Sequence, residues 1–164
     1  MEQLIIHGGA GSLEGKLAEA QVMHDSLCKI WEESFALLQK GTAEETVRHA
    51  IRMLEDDPIF NAGTGSKLQA DGQVRMSSAL MDGTNNRFSG VINVQNIRNP
   101  IEAAALLSKE EHTVLSADQA TDFCRRNGMA EYDPVTPERL EEYEKRCSGK
   151  HGTVGAVALD KEGR

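Results

Sequence analysis

The chain has 164 residues, enough for one domain with a real core, and its 39% hydrophobic and 27% charged residues are those of an ordinary globular protein. A net charge of -8, with no basic cluster beyond Arg125-Arg126 and Lys145-Arg146, argues against nucleic acid as a partner, and no apolar run is long enough to span a membrane. Met1-Glu2-Gln3-Leu4 lacks the regions of a signal peptide, and the three distant cysteines Cys28, Cys124 and Cys147 suit neither a zinc site nor a disulfide framework, so the expected setting is the reducing cytoplasm.

Leu4-Ile5-Ile6 reads as a short strand running into His7-Gly8-Gly9-Ala10-Gly11. Three glycines in five residues let backbone N–H groups converge, as around an anion, but no Gly-Lys-Ser/Thr follows and the dinucleotide fingerprint is absent. A tight strand-to-loop turn accounts for the segment equally well. Apolar residues at helical spacing from Ala20 to Leu38 predict an amphipathic helix over 16–39, ended by Gly41. A second helix begins at Thr42, where Glu45 three residues on completes a capping box, and stops before Pro58.

The loop from Leu54 to Ser66 holds Asn61 between Phe60 and Ala62 and is punctuated by Pro58, Gly63 and Gly65. Such a loop can turn several carbonyls toward one point, as a hard cation requires, although Asp56-Asp57 also suits a solvated turn. Ser66 to Gln69 and Val74 to Met81 flank Ala70-Asp71-Gly72-Gln73, a hairpin signal. Strands are expected over 88–94 and 112–115, and helices from Asn99-Pro100 to Lys109, from Ser116 (capped with Gln119) to Gly128, and from Thr136-Pro137 through Leu140 and Tyr143. The order suggests a layered α/β sandwich rather than a doubly wound sheet.

A polar arm, Glu141 to Lys150, delivers His151-Gly152-Thr153 onto an apolar strand, Thr153 to Leu159, expected to be fully buried in a sheet. Gly-Thr at the head of a strand is common, but it also suits a chain that cuts itself. Gly152 permits close approach to its carbonyl, and the Thr153 hydroxyl can attack there to give an ester that water resolves. The freed α-amine, with an unperturbed pKa of roughly 7.7–8.0, then serves as the hydroxyl's own base.

Five motifs in order resemble the first part of the plant-type asparaginases, or isoaspartyl peptidases, of the N-terminal-nucleophile hydrolases. They are His7-Gly8-Gly9-Ala10-Gly11, Phe60-Asn61-Ala62-Gly63-Thr64-Gly65-Ser66, Met81-Asp82-Gly83, Asn99-Pro100-Ile101 and His151-Gly152-Thr153-Val154-Gly155-Ala156-Val157. The resemblance implies a four-layer αββα sandwich, with residues 1–152 corresponding to an α subunit and 153–164 to the first strand of a β subunit. It implies Thr153 as autocleavage residue and nucleophile, with Asn61 supporting the catalytic site. The resemblance also associates His7, Gly8 and Gly9 with Gly152 and Thr153 in self-cleavage, and it implies a structural sodium ion held on the carbonyls of Leu54, Glu55, Asp57, Phe60, Ala62 and Thr64.

The implied reaction is hydrolysis of L-asparagine or β-aspartyl dipeptides without a chemical cofactor, in an (αβ)2 assembly of two αβ units. Two departures stand out. Met76-Ser77-Ser78-Ala79-Leu80 replaces the family's acidic residue and Ala-Ser-Ile before Met-Asp-Gly, and the family's second threonine, its substrate-holding arginine and aspartate and its Thr-Gly oxyanion donors fall beyond Arg164. The alternatives are a non-catalytic α-like fragment that needs a partner chain, and a glycosylasparaginase-like member of the superfamily.

Overall fold

The computed structural model describes residues 1–10, 17–145 and 154–163. Strand β1 (Gln3–His7) leads into helix α1 (Leu17–Leu38), whose buried stripe of Ile30, Ser34 and Leu38 follows the predicted helical spacing. Trp31 stacks on Phe35 with ring centroids 4.9 Å apart and donates its indole N–H to the Leu4 carbonyl at 3.1 Å, fixing α1 against β1. Helix α2 (Ala43–Asp56) starts with the expected capping box: the Thr42 hydroxyl accepts the Glu45 N–H, and the Glu45 carboxylate accepts the Thr42 N–H.

Strands β2 (Met76–Asp82) and β3 (Arg87–Val94) form an antiparallel hairpin, and the short β4 (Val114–Ser116) adds to β3 in parallel. Helices α3 (Pro100–Leu107) and α4 (Ala117–Arg126) pack on this sheet, α3 entering with Pro100 at its first turn. Helix α5 (Pro137–Lys145) follows, and β5 (Gly155–Leu159) closes the described chain. It pairs antiparallel with β1 from His7↔Gly155 to Gln3↔Leu159.

Two apolar clusters result. One joins α3 and α4 to the hairpin through Val91, Val94, Ile97, Leu107 and Phe123. The other joins α1, α2 and α3 through Ile30, Ile51, Leu54, Phe60, Leu80 and Ile101, with Ile6, Val154 and Ala156 packed against it. Helices thus cover one face of each sheet. On the other face Ile5, directly opposite Val157, is 71% exposed and Val157 69%. Met81, Phe88, Ile92 and Val114 stand exposed on the second sheet. Among the described residues no helix is long and apolar enough to cross a membrane. The architecture is mixed α/β, as expected.

Three local expectations fail for physical reasons. Ser66 to Gln69 is not a strand: the Lys67 N–H is taken by the Asn61 side chain at 2.8 Å and the Ser66 N–H by the Gly63 carbonyl at 3.2 Å, so neither is available to a ladder. The turn itself is present, with Gly72 at φ +78 and the Gly72 N–H on the Gln69 carbonyl. Ser116 makes no side-chain cap to α4, because its backbone is committed to the ladder opposite Ile92 and Ala117 turns through φ +50. The strand expected over 153–159 is half-buried rather than fully buried, since β1 is its one neighbour among the described residues and Val157 and Leu159 face outward.

Candidate active site

The loop after α2 is folded hard onto the end of that helix. Gly63, at φ +51, approaches so closely that a Cβ there would stand 2.2 Å from the Glu55 carbonyl oxygen; Gly65, at φ +83, would bring one within 2.5 Å of the Pro58 carbonyl oxygen. The Thr64 N–H donates to the Glu55 carbonyl at 2.7 Å, and the Phe60 N–H to the Asp57 carbonyl at 3.2 Å. Asp56 and Asp57 are more than a solvated turn. Asp56 Oδ1 accepts from Arg98 at 2.8 Å and Asn99 at 3.1 Å, while Asp57 takes the Ser26 hydroxyl at 2.5 Å and the Ile59 N–H at 3.1 Å.

The resemblance implies a cation here, and the residues fit one. Leu54 and Phe60 are buried, Glu55 and Asp57 bracket the helix terminus, and Ala62 and Thr64 return over it. Pro58 has no N–H to offer the Leu54 carbonyl four residues earlier, and the carbonyl end of α2 carries partial negative charge. Beneath the loop the Glu55 carboxyl is 3% exposed; Oε1 accepts the Ile101 N–H at 3.1 Å, and Oε2 is without a hydrogen-bond partner of normal geometry. Burial pushes this carboxyl up to about 8, against the opposing influence of Ile101 and the Asn99 amide, whose hydrogen bond goes to Asp56. Glu55 Oε2 is thus a buried polar atom beneath the loop with no hydrogen-bond partner among the described residues, a place where a bound cation would find an acceptor. Side-chain metal sites are a different matter: among the described residues no three His, Cys, Asp or Glu gather.

Three separate sequence motifs meet at this loop. Gly8 lies against the Phe60 ring, where a Cβ would come within 2.8 Å of Cε1. His7 sits opposite Gly155 in the β1–β5 register, and its Nδ1 accepts the Gly9 N–H at 3.3 Å. Asn61 and Ala62 line a cavity of about 1220 Å³ together with Val154 and Gly155. That cavity opens between the edges of β2 and β5 over the face of α2. Gly152 and Thr153 lie outside the described residues; Val154, the next residue along, packs against the cluster containing Phe60. Of the cysteines, Cys28 is exposed and Cys124 is buried, and Cys147 lies outside the described residues.

Sequence reasoning missed Tyr132, Lys67, Arg139 and Glu142, which tie the loop to the segment around α5. The Thr64 and Tyr132 hydroxyls are 2.8 Å apart, the Gly65 N–H reaches the Pro134 carbonyl at 2.8 Å, and Arg139 donates to the Gly65 carbonyl at 2.6 Å. The Arg139/Glu142 spacing of three on one helix was the only local hint.

The family model described as asparaginase matches residues 1–151. An isoaspartyl peptidase/L-asparaginase from Synechocystis is 41% identical, over 99% of this chain and 55% of its own length. A plant-type L-asparaginase from Pyrococcus horikoshii is 36% identical, over 99% and 60%, and an isoaspartyl peptidase/L-asparaginase from Danio rerio 34%, over 98% and 56%. The chain therefore spans a little over half the length of these relatives. With a family match over nearly all of its residues, this chain belongs to the asparaginase family.

Proposed function

We propose that the chain is the α part, with the start of the β part, of an autoprocessing amidohydrolase of the N-terminal-nucleophile type. Cleavage at Gly152-Thr153 exposes the Thr153 amine and hydroxyl. The hydroxyl attacks the side-chain amide of L-asparagine or the isopeptide bond of a β-aspartyl dipeptide; the C–N bond breaks, the leaving amine takes the proton, and water hydrolyses the aspartyl ester on Thr153. The observation that carries this reading is that the Asn61 loop and the head of β5 line one cavity, while Gly8 lies against the Phe60 ring of that loop and His7 pairs opposite Gly155.

Sodium, when bound, supplies rigidity rather than chemistry, held by the carbonyls of Leu54, Glu55, Asp57, Phe60, Ala62 and Thr64. The gap between the edges of β2 and β5, and the uncovered faces of both sheets, support a companion β chain completing a four-layer sandwich that pairs as (αβ)2. Before scission the Thr153 nitrogen is an amide and cannot act as base, so hydrolysis requires the cut at Gly152-Thr153. The test is mass spectrometry and ammonia release from asparagine with the enzyme assembled with its companion chain. Thr153→Ala abolishes both scission and hydrolysis, and Thr153→Ser retains slow scission. Full turnover by the Thr153→Ala protein refutes the assignment and leaves the non-catalytic reading.

A further inference from the structure

A closed ring of polar contacts joins the loop carrying Asn61 to helix α5. Asn61 Oδ1 accepts the Lys67 N–H at 2.8 Å. The Lys67 ammonium pairs with Glu142 Oε1 at 3.2 Å, and Glu142 Oε2 accepts from Arg139 Nη1 at 2.8 Å. Arg139 Nε then donates to the Gly65 carbonyl at 2.6 Å, back in the loop. Partial burial by itself would raise the Glu142 carboxyl, but the hydrogen bonds from Arg139 and Lys67 outweigh it and hold the group at about 2.

Helix α5 buries none of its side chains, so it is attached by directional polar contacts rather than by apolar packing. Ion pairs this accessible contribute little to global stability. What they do supply is geometry: one position for Lys67, and through its N–H one orientation for the Asn61 amide.

We propose that Arg139, Glu142 and Lys67 are positioning residues, a clamp that sets the Asn61 amide in the cavity. Its consequence for turnover rests on the hydrolase reading above, but the clamp itself does not. All of its members precede Gly152, so scission there leaves it on one piece of the protein.

The test uses Arg139→Ala and Glu142→Gln, with Lys67→Arg as the variant that keeps the charge. In the 164-residue chain, hydrogen exchange at the Lys67 amide is expected to become about five- to tenfold faster in the first two and to remain near the parent in the third. Exchange at Ile51, inside α2, is expected to stay at the parent rate. In the enzyme assembled with its companion chain, kcat falls about tenfold for Arg139→Ala and Glu142→Gln with KM unchanged, and Lys67→Arg retains it. Parental exchange at Lys67 in both disruptive variants overturns the clamp, as does an equal acceleration at Ile51, which would mean general destabilisation. Absence of turnover in the unmutated assembly counts against the hydrolase reading alone, since the exchange comparison decides the clamp.

Discussion

Gly63→Ala tests whether the loop really is pressed onto the end of α2. Two effects add. The residue sits at φ +51, where a Cβ costs about 1–2 kcal/mol. The new methyl would also lie 2.2 Å from the Glu55 carbonyl oxygen and 2.6 Å from Glu55 Cβ, far inside contact distance. Both are rigid parts of α2, so the loop must retreat, breaking the 2.7 Å Thr64–Glu55 hydrogen bond, worth about 0.5–1.5 kcal/mol net. The combined loss is about 1.5–3.5 kcal/mol. Gly128→Ala is the matched control: φ is +79, yet nothing lies within 4 Å of the added methyl, so only the backbone cost of about 1–2 kcal/mol remains. Urea unfolding of the chain followed by circular dichroism measures both. Equal destabilisation by the two substitutions would show that the close approach at Gly63 is absent.

Asn61→Ala removes the tie to Lys67 and is expected to lower stability by about 1 kcal/mol while cutting turnover of the assembled enzyme at least about tenfold; paired melts and kinetics with proportional losses would make Asn61 a loop residue only. For Glu55 the folded carboxyl is raised from its ordinary 4.5 to about 8, so the folded state binds the proton more tightly. Stability is then fullest below pH 4.5 and is lost as pH rises toward 8, by about 2–4 kcal/mol in sodium-free buffer. Glu55→Gln should flatten that slope, and parallel urea midpoints from pH 5 to 8 in both proteins would contradict the burial argument. Val157→Lys places a charge on the uncovered face beside Ile5 and should reduce self-association or companion-chain binding in sedimentation runs; a parent chain that is already monomeric and binds no companion would refute it.

What could be read from the sequence was whatever local chemistry decides. The Thr42/Glu45 box is a reciprocal hydrogen bond between residues three apart, and the stripe of α1 is simple periodicity, so both were legible. Asn61 could be singled out by its setting among Phe60, Gly63 and Gly65. Its partner could not, because an amide that caps a backbone N–H six residues on makes a strand-like segment into loop without altering its composition. The apolar run in β5 predicted burial but not how much, which depends on the strands beside it. The ties from α5 to Gly65 and Ala70 cross more than seventy residues of sequence, beyond any local signal.

The antiparallel ladder of β1 and β5 has a thermodynamic consequence. Its five residue pairs are formed within one chain, where the two strands face each other at an effective concentration of the order of millimolar. Scission between Gly152 and Thr153 would turn the same ladder into a contact between separate molecules, and its occupancy would then depend on dilution. Five pairs with one exposed face bury too little to resist micromolar concentrations unaided. The piece beginning at Thr153 would therefore have to bring further buried surface of its own to stay in place once the peptide is cut.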